Sequence, residues 1–427
     1  MIVLGQRIQL DPNNVQATWM ERCAGTARFT WNWGLARWQT KYASGEKSSW
    51  QSLNTELNAI KAVEFPWMTE LPWAVPNKAL ADLGTAFTNF FRRVKAGQKP
   101  GYPRFKSKKR SIPAFAIEGR ALQFNGRKIK LPKLGWVRIR QDLRFPGKIL
   151  SARFTKRANH WYVSLHIEID ESRWSYPHRC ETQAVVGVDL GVRDLAVLSD
   201  GTKVAAPRAL RKHEAKLRRL NKELSRRTQG GKNRQKTKTK LGRLHERIAN
   251  IRKDVTDNLT ARLVRDFRWI GIENLNIAGM TANRRLAKSV MDAAMAEVGR
   301  QLDYKAPLAG SKIVRADRWF ASSKTCSVCG VVRGPMSLSE RHWTCSACGA
   351  EHDRDENAAE NLKQMAAAHA VTACCPGSAG RPMPSVKLLV GQESSSVVQV
   401  SNRIVQVSNR IDRLSPPTVK GERAARA

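Results

Sequence analysis

Nowhere in its 427 residues does the chain carry a run of about 18 uncharged apolar residues, the least that crosses a bilayer as a helix. The first ten residues, MIVLGQRIQL, do not read as a secretory signal either: Arg7 interrupts the apolar stretch and no small-residue cleavage pattern follows. Negative charge is scarce, with 36 Asp and Glu against 75 Lys and Arg, a formal net charge of +39. The chain is nonetheless 41% hydrophobic, which excludes a disordered basic tail, and its length suits about two to four domains. Such an excess on a folded chain calls for a polyanionic partner. A peripheral membrane protein would gather its cations in one short segment. Here they are spread over most of the chain, so nucleic acid is the expected partner and no membrane is expected.

A disulfide framework is also missing. Of eight cysteines, Cys23 and Cys180 stand alone and Cys374 and Cys375 are adjacent. The other four form two CxxC pairs, Cys326-Ser-Val-Cys329 and Cys345-Ser-Ala-Cys348, separated by 15 residues. A small secreted chain would use such residues as disulfides; a long chain without a signal would not. Two CxxC knuckles, each followed by glycine (Gly330, Gly349), aim four thiolates at one tetrahedral zinc ion.

Periodicity divides the chain. Asp11-Pro12 reads as an N-cap and first-turn proline opening a helix to about Tyr42 that carries Trp19, Trp31, Trp33 and Trp38. Those tryptophans are read as core anchors, with base stacking the competing reading. Asn77 reads as the cap of a second helix ending at Gly97. Lys99 to Arg110 holds six basic residues, no acidic ones and two prolines, and reads as an exposed basic connector. From about Pro113 to Glu168, KIKLPKLGWVRIR and WYVSLHIEID alternate as antiparallel strands do, implying a small β-barrel or sandwich. AVVGVDLG then reads as a buried strand, and DLAVLSDGTKVAA as a hairpin turning at Asp200-Gly201. Residues 207–263 read as a helical hairpin broken at Gly230-Gly231. Between Arg208 and Lys253 lie 18 basic residues and three acidic ones, a bias that favours a nucleic-acid contact over a merely solvated face. WIGIEN is a second buried strand, followed by a helix from about Arg285 to Leu308, a strand near Ile313, the cysteine pairs and a last helix in DRDENAAENLKQMAAAHA. Beyond Pro376 the chain is rich in Ser, Pro and Val and repeats VQVSNRI in tandem; it reads as disordered.

Three carboxylates fall at element boundaries: Asp189 ends VVGVD, Glu273 ends WIGIE, and Asp355 opens the last helix. Such groups are costly to bury unless paired or metal-bound. Gathered at one sheet edge they would offer hard oxygen ligands to magnesium, and two ions about 3.5–4 Å apart would clamp a phosphodiester. Each also has a plain alternative: a turn at Asp189, an arginine partner for Glu273, a helix cap at Asp355.

The strings VVGVDLGVRDLAVLSDG, WIGIENLNIAGM, ASSKTCSVCG and WTCSACGAEHDRDENAAENL resemble, in order and spacing, the TnpB family of transposon-encoded RNA-guided nucleases, relatives of the miniature type V CRISPR effectors. The likeness extends to about residue 375. It implies a multidomain α+β fold: a helical recognition lobe, a β-barrel wedge domain, and an RNase H-like (RuvC-type) α/β nuclease domain with an inserted zinc ribbon. On that pattern residues 1–10 form the first wedge strand, 11–110 the helical domain and 111–183 the wedge. Residues 184–321 form the first part of the nuclease with the basic hairpin, 322–350 the zinc ribbon, 351–375 the rest of the nuclease and 376–427 a disordered tail. The resemblance makes Asp189, Glu273 and Asp355 catalytic magnesium ligands, with Asp353 as the fallback for the third. It makes Cys326, Cys329, Cys345 and Cys348 ligands of a structural zinc. Four thiolates complete a tetrahedron, so His352 is read as supporting rather than ligating. The implied activity is RNA-guided cutting of double-stranded DNA beside a short flanking motif. The guide RNA would come from a transposon end or a CRISPR array, and the particle would be a monomeric ribonucleoprotein in a prokaryotic cytoplasm. The rival readings are a miniature type V CRISPR effector, a nuclease-inactive RNA-guided repressor and a plain zinc-ribbon DNA-binding factor. The last leaves the strand-end carboxylates unexplained.

Overall fold

In the computed structural model residues 1–170, 172, 184–337 and 340–374 are described. Cys180, Cys375 and the repeat-bearing tail lie outside them. The chain opens with strand β1 (Ile2–Asp11), whose alternate residues Leu4, Gln6, Ile8 and Leu10 turn inward. Asp11 therefore ends a strand and does not cap a helix. The cap of helix α1 (Asn14–Ala43) is Asn13, whose side chain accepts from Gln16 N at 2.9 Å while its own N–H donates back to Gln16 Oε1 at 3.1 Å.

Helix α2 (Trp50–Glu64), capped by Ser49, is an addition to the two helices expected in this part of the chain. Helix α3 (Ala74–Lys95) begins three residues before Asn77, with Pro76 in its first turn where no intrahelical N–H is needed. Among the four tryptophans, Trp19 packs on Phe115 of the adjoining sheet and Trp31 joins Leu35, Leu83 and Phe87. Trp33 and Trp38 lean on the cluster of Leu53, Leu57 and Leu80. The basic segment after α3 is less free than its composition suggests. Trp31 Nε1 donates to Arg104 O at 3.0 Å, Asn32 brackets the Lys106 backbone, and the Lys106 ammonium lies 3.3 Å above the Trp31 ring.

Six strands follow: β2 (Ala114–Glu118), β3 (Gln123–Asn125), β4 (Lys128–Leu131), β5 (Gly135–Ile139), β6 (Lys148–Arg157) and β7 (His160–Ile169). With β1 they form a seven-stranded antiparallel sheet in the order β2-β6-β7-β1-β5-β4-β3. The N-terminal strand sits in its middle, paired with β7 on one edge and β5 on the other, so neither edge is left open.

A second sheet is built from β8 (Val185–Asp189), β9 (Asp194–Leu198), β10 (Lys203–Ala205), β11 (Trp269–Ile272) and β12 (Lys312–Arg315), in the order β10-β9-β8-β11-β12. Strands β8, β11 and β12 are parallel and β9 runs antiparallel to β8. Between β10 and β11 the chain forms the basic hairpin α4 (Ala209–Arg226) and α5 (Lys232–Asp266), closed by Leu217, Leu220, Leu244 and Ile248 and turning at Gly230 with φ +83°. After β11 come α6 (Ile277–Ala282), α7 (Arg284–Ala293) and α8 (Met295–Ala309). The single helix expected over 285–308 is thus two, broken where Ala294 adopts φ +61°. The described chain finishes with the cysteine knuckles, the hairpin β13 (His342–Thr344) and β14 (Glu351–Asp353), and helix α9 (Arg354–Cys374).

Side-chain alternation gives this second sheet two unlike faces. Val186, Val188, Ile270 and Ile272 point into a core with Leu259 and Leu263 of α5 and Val298 and Leu302 of α8. The opposite face presents Gly187 and Gly271 to α9, whose backbone lies almost on the strands. A Cβ at Gly187 would meet Ala359 O at 1.8 Å, and one at Gly271 would meet Leu362 O at 2.2 Å.

Candidate active site and metal centre

The carboxylates are brought together by register. Strands β8 and β11 are paired so that Val188 is opposite Ile272. The next positions, Asp189 and Glu273, therefore leave neighbouring strand ends, about 4.8 Å apart across the sheet. Helix α9 runs antiparallel to these strands. Its Ala366 and Ala370 pack on Trp269 at the strand start, and Leu362 and Ala359 lie over Gly271 and Gly187 at mid-strand. One turn further toward the helix N-terminus is Asp355, on the same face as Ala359. One two-residue step beyond Gly187 is Asp189. Both steps run the same way, and they meet at the strand ends.

The electrostatics register that meeting. Asp189 is half-buried, and its carboxyl is pushed up to about 8. Burial is the main cause, followed by the negative charges of Glu273 and then Asp355, with Arg354 and Arg341 pulling the other way. The other two carboxylates are held by neighbours. Ser322 Oγ donates to Glu273 Oε1 at 2.5 Å. Arg341 Nη1 binds both oxygens of Asp355, at 2.9 and 3.0 Å. The three carboxylates do not converge as tightly as the thiols described below, the one such cluster found among the described residues.

Asp353 has a different task. Its Oδ1 accepts from Asp355 N at 2.9 Å and from Glu356 N at 3.1 Å, which makes it the N-terminal cap of α9, and its other oxygen lies 3.7 Å from Lys203 Nζ. The capping role considered for Asp355 therefore falls to Asp353, and Asp355 is left free to face the sheet edge. Ser322 itself is fixed by α9: Asn361 Nδ2 donates to Ser322 O and Thr325 O, each at 2.7 Å, and Asn357 Nδ2 to Thr325 O at 2.7 Å. Sequence reasoning singled out none of Gly187, Gly271, Ser322, Arg341, Asn357 or Asn361. The asparagines and Ser322 lie inside the strings ENAAENL and ASSK, but nothing in those strings says which backbone they clasp.

The four cysteines do converge. All their sulfurs lie within 4.8 Å of one another, with Cys326–Cys348 at 3.7 Å and Cys329–Cys345 at 3.6 Å. Zinc–sulfur bonds of about 2.3 Å require tetrahedron edges of about 3.8 Å, so the donor set fits zinc. The two knuckles repeat one backbone pattern: Gly330 N donates to Cys326 O and Gly349 N to Cys345 O, each at 2.9 Å, with both glycines left-handed. His352 Nε2 sits 3.1 Å from Cys326 Sγ, and its ring tilts over Trp343 at 4.5 Å, beside the tetrad.

The hairpin α4–α5 uses some of its cations internally. Arg252 pairs with Asp292, Arg227 with Glu223, and Arg234 donates to Leu224 O near the end of α4 and to Arg227 O just after it. Most of the remaining Lys and Arg residues on it face solvent.

Comparison with known proteins gives three matching segments. Residues 164–284 match the family model described as "Probable transposase", and 296–362 match the "Cas12f1-like, TNB domain". Residues 1–47 match a model described as "Helix-turn-helix domain", although here they fold as one strand and a single long helix. A Streptomyces pristinaespiralis protein named "Putative RNA-guided DNA endonuclease" is 34% identical over 86% of this chain and 89% of its own. The Escherichia coli K12 protein "Putative RNA-guided DNA endonuclease InsQ" is 31% identical over 88% of this chain and 95% of its own. The Cas12f1 endodeoxyribonuclease of Sulfoacidibacillus thermotolerans is 26% identical over 48% of this chain and 50% of its own. A cryo-EM structure of a Cas12f1–sgRNA–target DNA complex aligns with a TM-score of 0.49 at 16% identity, over 82% of this chain and 83% of that one. Identity above 30% along most of both chains, on a multidomain α+β fold, places the chain in the TnpB family.

Proposed function

We propose that the protein is an RNA-guided DNA endonuclease with one metal-dependent cutting site. The observation that carries the reading is the meeting of Asp189, Glu273 and Asp355 at one sheet edge in a strongly basic chain, with Asp189 raised to about 8 by burial first and by the two neighbouring carboxylates second. Three carboxylates facing one sheet edge are costly without a cation, and their hard oxygens suit magnesium. Asp189, Glu273 and Asp355 would hold it. Two magnesium ions, when bound, would supply the polarised phosphodiester and the activated water. The chain's own residues orient this site. Ser322 holds the Glu273 carboxyl, Arg341 holds Asp355 and brings a positive charge to where a phosphate must sit, and the Asp353 cap sets the first turn of α9.

On this reading the sheet order of the second sheet, with its one antiparallel strand, supports an RNase H-like (RuvC-type) nuclease domain into which Ser322 to Ala350 insert a zinc ribbon. The seven-stranded sheet is the wedge domain and α1–α3 the recognition lobe. A guide RNA in a basic channel pairs with one DNA strand, and the protein reads a short flanking motif and backbone shape. The particle is a monomeric ribonucleoprotein acting on DNA in a prokaryotic cytoplasm.

The test starts by sequencing the RNA that copurifies with the expressed protein. Duplex DNA matched to that RNA is then offered with magnesium. Cutting by the wild type, lost in Asp189→Ala, Glu273→Ala and Asp355→Ala with target binding retained, is the expected result. Guided binding without cutting by the wild type would make it a repressor, and the nuclease reading would fall.

A further inference from the structure

Away from the carboxylates, a cavity of about 180 Å³ opens where α1, α3, β2 and β6 meet. Lys106 of the basic connector lines it, with Arg28 from α1, Lys78 and Asp82 from α3 and Arg153 from β6; apart from Ser111 the rest of the lining is apolar. The one carboxylate there is already taken, since Arg153 Nη2 donates to both oxygens of Asp82 at 2.8 Å. Lys78 leans toward Glu118, 3.6 Å away, which does not line the cavity. Lys106 is left half-buried, its nitrogen without a carboxylate or carbonyl partner among the described residues and 3.3 Å above the Trp31 ring.

The backbone holds Lys106 in this position. Asn32 Nδ2 donates to Lys106 O at 2.9 Å, and Lys106 N donates to Asn32 Oδ1 at 2.8 Å. The neighbouring Lys108 and Lys109 are exposed. An ammonium half-buried among other cations loses hydration and gains repulsion, which favours the neutral amine. Burial is the main cause that pushes Lys106 down to about 8; Asp82 pulls it up, and Arg153 adds to the fall. The Trp31 face favours the charged form, a weaker effect than burial. At about pH 7.5 roughly a quarter of such amines are neutral, against roughly one in a thousand for an ordinary lysine.

We propose that Lys106 is a covalent modification site, acylated without an enzyme by small acyl phosphates that enter this cavity. The neutral amine attacks the acyl carbon and a C–N bond forms. The acyl C–O bond breaks, and the phosphate leaves with the proton that the amine gives up, so atoms and charge balance. Arg28 and Lys78 offer the departing phosphate positive neighbours. The volume suits a two-carbon acyl phosphate and excludes a coenzyme-sized donor. The product is a neutral amide, so the connector loses one of its six basic charges and the cation that pins it over Trp31. The proposal stands apart from the nuclease reading and does not depend on it.

The experiment treats the protein, with its copurified RNA, with acetyl phosphate across a range of pH and follows each lysine by peptide mass spectrometry. Lys108 and Lys109, exposed in the same segment, serve as internal references. Lys106 should be modified at least roughly tenfold faster than either, with its rate half-maximal near pH 8. Two variants separate the electrostatic cause from a change of fold. Arg153→Gln removes a repelling cation and frees Asp82 to hold the ammonium, so acylation of Lys106 should slow. Asp82→Asn removes the one negative charge lining the cavity, so Lys106 should react at least as fast as in the wild type. Lys108 and Lys109 should be unmoved in both. Lys106 modified no faster than its two references would overturn the proposal, as would an unchanged rate in Arg153→Gln. Protection of Lys106 that is lifted when the RNA is digested would also overturn it, by making the RNA the occupant of the cavity.

Discussion

Replacing Gly187 by alanine tests the geometry on which the whole site depends. Neither Gly187 nor Gly271 has a left-handed backbone, so a Cβ is barred there by the neighbour and not by conformation. At Gly187 the added carbon would lie 1.8 Å from Ala359 O and 2.4 Å from Lys363 N, both backbone atoms of α9 that no rotamer change can move. Contacts below 3.0 Å do not persist, so the helix must retreat from the strand by at least 1.2 Å, the difference between 3.0 and 1.8 Å. Asp355 rides on that helix one turn away and retreats with it, while Asp189 stays on the strand. A displacement of about 1 Å at a reacting centre can cost about 100-fold in rate, and overpacking costs about 1–3 kcal/mol in stability. Gly271→Ala needs a smaller shift, from 2.2 Å, and Gly5→Ala meets nothing within 4 Å. Single-turnover cutting of guide-matched duplex and thermal melting should both rank the variants as Gly187→Ala worst, then Gly271→Ala, then Gly5→Ala indistinguishable from wild type. Gly187→Ala cutting at the wild-type rate with an unchanged melting temperature would refute the account of α9 seated on bare strands.

Asp355→Ala should abolish cutting, whereas Asp353→Ala should keep most of it and lose about 0.5–2 kcal/mol of stability as a missing helix cap, read by chemical denaturation. The reverse pattern would move the third ligand to Asp353. Metal analysis of protein purified without chelator should give about one zinc per chain, and Cys345→Ala should lose it, because three thiolates leave the tetrahedron open. Asp292→Ala strips four hydrogen bonds from α4 and Arg252 at once and leaves a half-buried cation unpaired; it should cost roughly 3 kcal/mol or more. Asp292→Asn should cost less, since one acceptor oxygen remains, and equal losses in the two variants would deny the capping role.

Local patterns carried much of this protein into view. Alternation in WYVSLHIEID, the apolar runs ending at Asp189 and Glu273 and the paired CxxC knuckles each depend on neighbours within a few residues, so their elements are legible in the sequence. The helix starts were less so, because a polar residue before an apolar run caps only if the backbone there is free to turn. Asp11 was already held in a strand by β5, and Asn77 lay inside a helix begun at Ala74. Helix α2 carries Trp50, Leu53, Leu57 and Ile60 at helical spacing behind the Ser49 cap, a pattern the sequence reading leaves unused. What only the tertiary structure decided is who meets whom. That Asp353 caps while Asp355 faces the sheet follows from the rotation of α9, and that rotation is set by Gly187 and Gly271 far away in sequence. The grip of Arg341 on Asp355, and the pairing of Asp292 with Arg252, are likewise products of chain folding. Their partners lie 14 and 40 positions apart, and no local periodicity can report a contact that only packing creates.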